Sequence, residues 1–129
     1  MATVSFSSPP GVHVPAARYS QSALVEGAAR RLIISGQIGV TPDGTMLEEP
    51  AAQIRQALEN LGAVLAAHAM RPDQVVKLTV LLTDRAHLPL WRAERDRLFG
   101  GHAPCSTLMV VAGLADPRLV AEVEAEAAG

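Results

Sequence analysis

The chain has one cysteine, few aromatic residues and no long hydrophobic run. Cys105 is the single cysteine among 129 residues, which excludes an internal disulfide and any metal cluster built on several thiolates. No segment approaches the roughly eighteen consecutive apolar residues that a membrane span requires. The start, "MATVSFSSPPGVHV", lacks a basic end followed by an apolar run, so it is not a secretory signal. These absences predict a soluble, cytoplasmic protein.

Aromatic residues and excess positive charge are also scarce. Aromatics make up 3% of the chain, so the core must be aliphatic, and platforms for stacking single-stranded bases are missing. The net charge is −2, without the basic stripe that binds nucleic-acid phosphates. The histidines at positions 13, 68, 87 and 102 have no metal-ligand spacing, and no glycine-rich phosphate loop occurs. We expect no metal, no other cofactor, no nucleic-acid partner and no membrane association.

What the chain does contain is the length and hydrophobic content of one domain, residues 1–129, with 49% hydrophobic residues. The pattern of apolar residues predicts the element order β-β-β-α-β-α-β-β. The predicted strands cover residues 3–7, 19–27, 31–40, 75–83, 106–114 and 119–127. The predicted helices run from Pro50 to about Met70 and from about Leu88 to Phe99. Gly36 interrupts the third strand and indicates a bulge or a close backbone approach.

Two helices can cover only one face of the predicted sheet. The segments 75–83 and 107–112 carry apolar residues on both faces, which favours strands buried on both faces. Association between subunits is the simplest way to bury the second face of so small a chain. The sequence therefore predicts a homo-oligomer.

Five segments follow one another in a fixed order: "RYSQSALVEG", "LIISGQIGVTPDG", "QIRQALENLGAVLAA", "VVKLTVLLTD" and "VAEVEAEA". In order and spacing they resemble the Rid family, also called YjgF/YER057c/UK114 and often labelled endoribonuclease L-PSP. The resemblance extends from about Tyr19 to Ala127. It implies an α+β, chorismate-mutase-like fold: a six-stranded mixed sheet, two helices on one face, and a homotrimer packed through the other. It also implies binding sites in clefts between subunits, where known members hydrolyse enamines and imines to 2-keto acids and ammonia.

The resemblance assigns site roles to several residues. Glu124 matches the acidic residue thought to position or activate the attacking water, and Tyr19 matches a tyrosine that walls the cleft. Ser35 and Gly36 match a Ser-Gly-Gln segment in which the glycine lets the backbone approach the ligand. Each has a structural alternative: a solvated strand face for Glu124, a half-buried strand residue for Tyr19, and a simple bulge for Gly36.

One segment departs from the family pattern. Active members bind the substrate carboxylate with an arginine in a Pro-Ala-Arg-Ser/Thr segment, which aligns here with Pro104-Cys105-Ser106-Thr107. Ser106 takes the place of the arginine and Cys105 that of the alanine. A serine hydroxyl replaces neither the charge nor the bidentate geometry of a guanidinium, so binding could fall about ten- to a hundredfold. The chain resembles an arginine-lacking branch, and we expect its substrate to differ from the usual 2-imino acids.

The residues around this segment leave alternatives open. We expect Cys105, Ser106 and Thr107 to line the cleft, while a cysteine nucleophile is a second reading of Cys105. Arg92 is included among the binding residues as a cation that could replace the missing arginine. Arg18 and Arg95 are further candidates, and an ordinary surface charge is the alternative for all three.

Three functions follow from these observations. The first is an enzyme that hydrolyses a small enamine or imine, or performs related deaminase or tautomerase chemistry, in clefts between subunits. The second is a non-catalytic trimer that binds a small metabolite or regulates a partner. The third is a ribonuclease, which the family label suggests and the low positive charge disfavours.

Overall fold

The computed structural model describes residues 3–8, 10–11, 14–15, 18–27 and 29–129. Within these ranges the strands are β1 (Thr3–Ser7), β2 (Ser22–Glu26), β3 (Arg31–Gln37), β4 (Val75–Leu82), β5 (Cys105–Val110) and β6 (Ala121–Ala128). The α-helices are α1 (Pro50–Ala67) and α2 (Leu88–Phe99), and single 3₁₀ turns span Pro72–Gln74 and Arg85–His87. The predicted order of elements and the α+β class are confirmed.

The strands form two sheets, so the expected single six-stranded sheet is wrong for the described residues. β1 and β2 pair antiparallel, while a separate four-stranded sheet has the order β3-β6-β4-β5, with β4 and β5 parallel. The chain just before β2 forms hydrogen bonds with the residues that lead into β5. The Ser20 amide donates to the Pro104 carbonyl at 3.2 Å, and the Ser20 hydroxyl to the Ala103 carbonyl at 2.6 Å. These bonds fix the β1–β2 hairpin at the β5 edge.

Both helices pack on one face of the four-stranded sheet, which we call the covered face. Alternate residues of β4 and β6 point towards α1 and α2, because successive side chains of a strand leave opposite sides of the backbone. The buried residues that alternate along the two strands are Leu78, Val80, Leu82, Ala121, Val123, Ala125 and Ala127, and Val75 and Ala128 at the strand ends are buried as well. The helices add an apolar stripe from α1 and Trp91 and Phe99 from α2. The core is aliphatic, as predicted, apart from these two rings.

Helix α1 is shorter at its C-terminus than predicted. It begins at Pro50, whose missing N–H costs little in a first helical turn. It ends at Ala67 because Ala69 adopts a left-handed backbone with φ 55°. The Met70 amide then donates to the Leu65 carbonyl at 2.9 Å, and the Met70 side chain turns into the core. The helix therefore stops three residues before its predicted end at about Met70.

Helix α2 has the predicted bounds and ends at Gly100, which takes a φ of 58°. An ion pair joins it to α1: Nη2 of Arg55 lies 2.9 Å from Oε1 of Glu94, and Nε lies 3.1 Å from Oε2. The Arg55 hydrogen bonds hold the pKa of the buried Glu94 carboxyl below its usual range, against the opposing effect of burial. Neither described helix combines the length and apolarity that crossing a bilayer demands.

A bulge interrupts β3, and side-chain hydrogen bonds hold the connection between β5 and β6. A register shift between Ile34 and Gln37 marks a bulge in β3, which confirms the bulge predicted at Gly36. The chain leaves the sheet after β5 and returns as β6 past the N-terminal turn of α1. There the buried Gln53 side chain donates to the Arg118 carbonyl and accepts from the Val120 amide, at 2.8 and 2.9 Å. These bonds fix the connection between β5 and β6.

Candidate functional site

The face of the four-stranded sheet opposite the helices, which we call the open face, carries most of the polar strand residues. The register of β6, β4 and β5 places its side chains in rows across the three strands. The rows are Glu126–Lys77–Cys105, then Glu124–Thr79–Thr107, then Glu122–Leu81–Met109. Neighbours within a row lie about 5 Å apart. The open face therefore has charged residues at the first row and apolar residues on β4 and β5 at the third.

A cleft of about 400 Å³ lies at the charged end of this face. It is enclosed by the segment leading into β2, by β2 itself, and by the first residues of β4 and β5. Its lining includes Tyr19, Lys77, Cys105, Ser106, Thr107 and Glu126. A volume of this size accommodates a small metabolite.

A smaller recess of about 80 Å³ adjoins the cleft. The two share Lys77 and Glu126, and the recess adds Ile33, Thr79 and Glu124 to its walls. Glu124 is exposed, and its carboxylate makes no hydrogen bond or ion pair with any residue in the described ranges. The predicted catalytic carboxylate therefore lies beside the cleft, with its oxygens accessible to water.

The structure brings four of the predicted binding residues together. Tyr19, Cys105, Ser106 and Thr107 all line the cleft. They come from two segments that the bonds of Ser20 to residues 103 and 104 hold side by side. The sequence placed them in one site only through the family resemblance, because more than eighty residues separate Tyr19 from Cys105.

Ser35 and Gly36 lie elsewhere on the open face. They belong to the β3 bulge, where a Cβ added to Gly36 would come within 2.0 Å of the Glu122 carboxylate. Glu122 is four residues from Glu126 along β6, a distance of about 13 Å. Within one chain, Ser35 and Gly36 therefore lie at the end of the open face that is remote from the cleft.

The predicted cation Arg92 is not in the cleft. It is an exposed residue of α2, next to Trp91, which packs against the covered face of the sheet. Arg95 pairs with Asp96 at 3.0 Å, and Arg18 donates to the Gly100 carbonyl at 2.9 Å. Arg92 therefore lies on the covered side of the sheet, apart from the cleft of its own chain, and its binding role stays a prediction.

Two residues of the cleft were missed by the sequence analysis. Lys77 is the single cation among the described residues that line it, and Glu126 lies directly opposite on β6. Lys77 had a detectable signal, since it is the only lysine of the chain and interrupts an otherwise apolar strand. Glu126 shares the two-residue period of Glu124, so the same face could have been expected to present both.

Burial raises the pKa of the Cys105 thiol, and the positive charge of Lys77 opposes this effect only in part. A thiol with a raised pKa stays protonated at neutral pH and is a poor nucleophile. The geometry therefore favours Cys105 as part of the cleft wall over the nucleophile considered from the sequence.

The histidines serve other contacts. Nε2 of His102 lies 2.8 Å from the Val75 carbonyl, and its ring meets the edge of Phe6 at a centroid distance of 5.1 Å. His13 lies outside the described residues. Within the described ranges, no three histidine, cysteine or acidic side chains come together in a way that could hold a metal ion.

Comparison with known proteins decides the family. The family model described as endoribonuclease L-PSP matches residues 11–129. The chain belongs to this family. The Rid/YjgF/UK114 resemblance is thereby confirmed, since relatives with those names share its sequence and its fold.

Individual members of the endoribonuclease L-PSP family are similar over most of the chain. The 2-iminobutanoate/2-iminopropanoate deaminase of Rattus norvegicus is 37% identical over 98 residues, covering 74% of this chain and 69% of the relative. The RutC family protein UK114 of Drosophila melanogaster is 34% identical over 112 residues, covering 85% and 78%. The crystal structure of the Rid family protein YyfB from Yersinia pestis matches with a TM-score of 0.86 at 26% identity, covering 97% of this chain and 98% of that one.

Proposed function

We propose that the protein hydrolyses a small reactive imine or enamine in the cleft at the charged end of the open face. The observation that carries this proposal is the grouping of Tyr19, Cys105, Ser106 and Thr107 around one cleft, with the Glu124 recess beside it. The similarity to relatives named 2-iminobutanoate/2-iminopropanoate deaminase supports this chemistry.

The reaction requires the protein to position a water molecule and to provide a base for one of its protons. The water oxygen adds to the carbon of the C=N bond, one water proton passes to a base, and the nitrogen is protonated. The C–N bond of the resulting carbinolamine then breaks, leaving a carbonyl compound and ammonia. The exposed carboxylate of Glu124 could orient the water and accept its proton, as general acid–base catalysis requires.

A homotrimer packed through the open face is part of this proposal. The face carries exposed apolar side chains, with Ile33 61% and Met109 45% exposed. Packing three copies through this face would bury such side chains and close the cleft at a seam between subunits. Ser35 and Gly36, remote from the cleft of their own chain, would then be available to a neighbouring one.

The assembly is tested by sedimentation equilibrium of the wild type and of Ile33→Glu. We expect a trimer for the wild type and weaker association for the variant, since three new carboxylates would face one another. A wild-type protein that sediments as one subunit at micromolar concentration would contradict the trimer.

The activity is tested with imines generated in place. An amino acid oxidase supplies a 2-imino acid, semicarbazide traps the portion that survives, and ammonia release is followed in parallel. We expect the wild type to reduce trapping and accelerate ammonia release, and Glu124→Gln to lose most of this effect. Trapping equal to that in buffer, across 2-imino acids, 2-aminoacrylate and imines that lack a carboxylate, would contradict an imine hydrolase.

Binding without turnover is the second candidate, and the serine at position 106 favours it, because the family's charged anchor is absent there. Thermal shifts with a small metabolite, without product formation, would identify such a protein. Ribonuclease activity is disfavoured by three glutamates, Glu122, Glu124 and Glu126, on the open face, which repel phosphates. Labelled RNA should remain intact with a nuclease-free preparation.

A further inference from the structure

We propose that Lys77 supplies the cation that binds a carboxylate in this cleft, in place of the arginine that is absent at position 106. This inference rests on the proposed function and names a binding residue of the same site. Two features of Lys77 carry it: its position in the cleft and its freedom to bind a ligand.

The position follows from the sheet register. Lys77 lies opposite Cys105 on β5 and opposite Glu126 on β6, in the first row of the open face. It contributes to the walls of both the cleft and the adjoining recess. A ligand that fills either space therefore lies next to the Lys77 side chain, and no other described lining residue of either space is a cation.

Lys77 is available to bind a ligand because the neighbouring acidic residue, Glu126, is paired with Arg31. Glu126, the nearest acidic residue by register, bonds to Arg31, with Nη2 of Arg31 3.2 Å from Oε2 of Glu126. Lys77 itself forms no ion pair in the described part of the chain, where seven arginines do. The cleft thus keeps one positive charge available for an anion.

The site differs from the one that the family resemblance implies. The family's arginine would stand at position 106, whereas Lys77 lies on the neighbouring strand, beside Cys105. An ammonium is a compact charge and lacks the planar fork of a guanidinium, so it fixes the carboxylate less rigidly. The hydroxyl of Thr107, exposed on the same face, could supply a further donor. The carboxylate would consequently lie between β4 and β5.

The same placement orients the reacting carbon. Glu124 is the diagonal neighbour of Lys77 across β4 and β6, at about 7–8 Å between backbone positions. In a 2-imino acid the carboxylate is bonded directly to the imine carbon. A carboxylate held at Lys77 therefore brings the imine carbon next to the recess that Glu124 lines.

The test measures binding of a stable product, 2-oxobutanoate, and of its uncharged amide by isothermal titration calorimetry. Lys77→Met is compared with Lys77→Arg and with Arg85→Met, which removes an exposed, unpaired cation beyond the far end of β4. We expect Lys77→Met to weaken oxo-acid binding about ten- to a hundredfold, and the two other variants to stay within a few-fold of wild type. The amide should bind the wild type and Lys77→Met equally weakly.

Equal oxo-acid affinity of the wild type and Lys77→Met would overturn the proposal, as would a wild type that does not distinguish the acid from the amide. Salt dependence gives a second readout that needs no variant: oxo-acid binding to the wild type should weaken as ionic strength rises. Because binding is measured without turnover, loss of the imine hydrolase hypothesis would leave this comparison intact. Conversely, if Lys77→Met hydrolyses the imine with an unchanged KM, the proposed enzymatic function stands and the role of Lys77 is contradicted.

Discussion

The two faces of the four-stranded sheet are built from the same strands and have opposite compositions. On β6, Val123 and Ala125 are buried under the helices, while Glu124, between them, is exposed. On β4, Leu78 and Val80 are buried, and Lys77 and Thr79 line the cleft or its recess. Since successive residues of a strand face opposite sides, one strand serves both stability and binding. Stability should therefore depend on the covered face and ligand binding on the open one.

The largest expected effect is on the covered face. Leu78→Ala removes a fully buried side chain and should lower the free energy of unfolding by about 2–5 kcal/mol. Its matched control is Thr79→Ala, the next residue on the open face, which should change it by about 0.5 kcal/mol or less. Urea denaturation at one fixed protein concentration measures both. Equal losses of unfolding free energy in the two variants would contradict the assignment of stability to the covered face.

A smaller effect is expected from the ion pair between the helices. Glu94→Gln should lower the free energy of unfolding by about 1–3 kcal/mol at neutral pH, since it removes charge-assisted bonds to the half-exposed Arg55. The pKa of the Glu94 carboxyl is lowered on folding, so its contribution is present above its ordinary value near 4.5 and is lost as the pH falls further.

Denaturation curves of the wild type and Glu94→Gln should accordingly converge as the pH falls below the ordinary carboxyl value near 4.5. Glu124→Gln, on the open face, serves as the control and should match the wild type at neutral pH within about 0.5 kcal/mol. A gap for Glu94→Gln that persisted undiminished in acid would contradict the role of the Glu94 charge.

The smallest effect concerns Cys105. Because burial raises the pKa of the thiol and Lys77 lowers it, alkylation by iodoacetamide at pH 7.5 should be slower than that of free cysteine. Lys77→Met should slow it severalfold more, by removing the charge that favours the thiolate, while Arg85→Met should leave it unchanged. Rates measured from pH 7 to 10 separate this effect from simple accessibility. A faster reaction in Lys77→Met would contradict the proximity of the two side chains.

Much of the fold could be predicted from local patterns. The three- and four-residue spacing of Ile54, Leu58, Leu61 and Leu65 predicts α1. Gly100 follows α2 with a φ of 58°, and a glycine is a common residue at a helix end. The end of α1 was misplaced because the left-handed turn at Ala69, a residue without the freedom of glycine, is stabilised by burial of Met70, a tertiary contact. The place of the β1–β2 hairpin at the β5 edge was missed for a similar reason, since it depends on the bonds of Ser20 to a segment more than eighty residues away.

The candidate site was predictable only in part. The resemblance brought Tyr19 and Cys105 to one cleft. Lys77 stood out as the only lysine of the chain, but its place beside these residues depends on strand pairing that local patterns do not give. Arg92 was chosen from a helix, and the structure instead places Lys77 in the cleft, because β4 and β5 run side by side in parallel. The pairing of β4 with β5 joins segments that are far apart along the chain, so local sequence patterns do not predict it.

The most direct test of the division between the faces is a titration of isotopically labelled protein with 2-oxobutanoate, followed by the chemical shifts of backbone amides. The account predicts saturable shifts that are largest at Lys77, Cys105 and Thr107, with little change in α2 around Arg92. Shifts centred on α2, or no saturable shift at any residue, would contradict it.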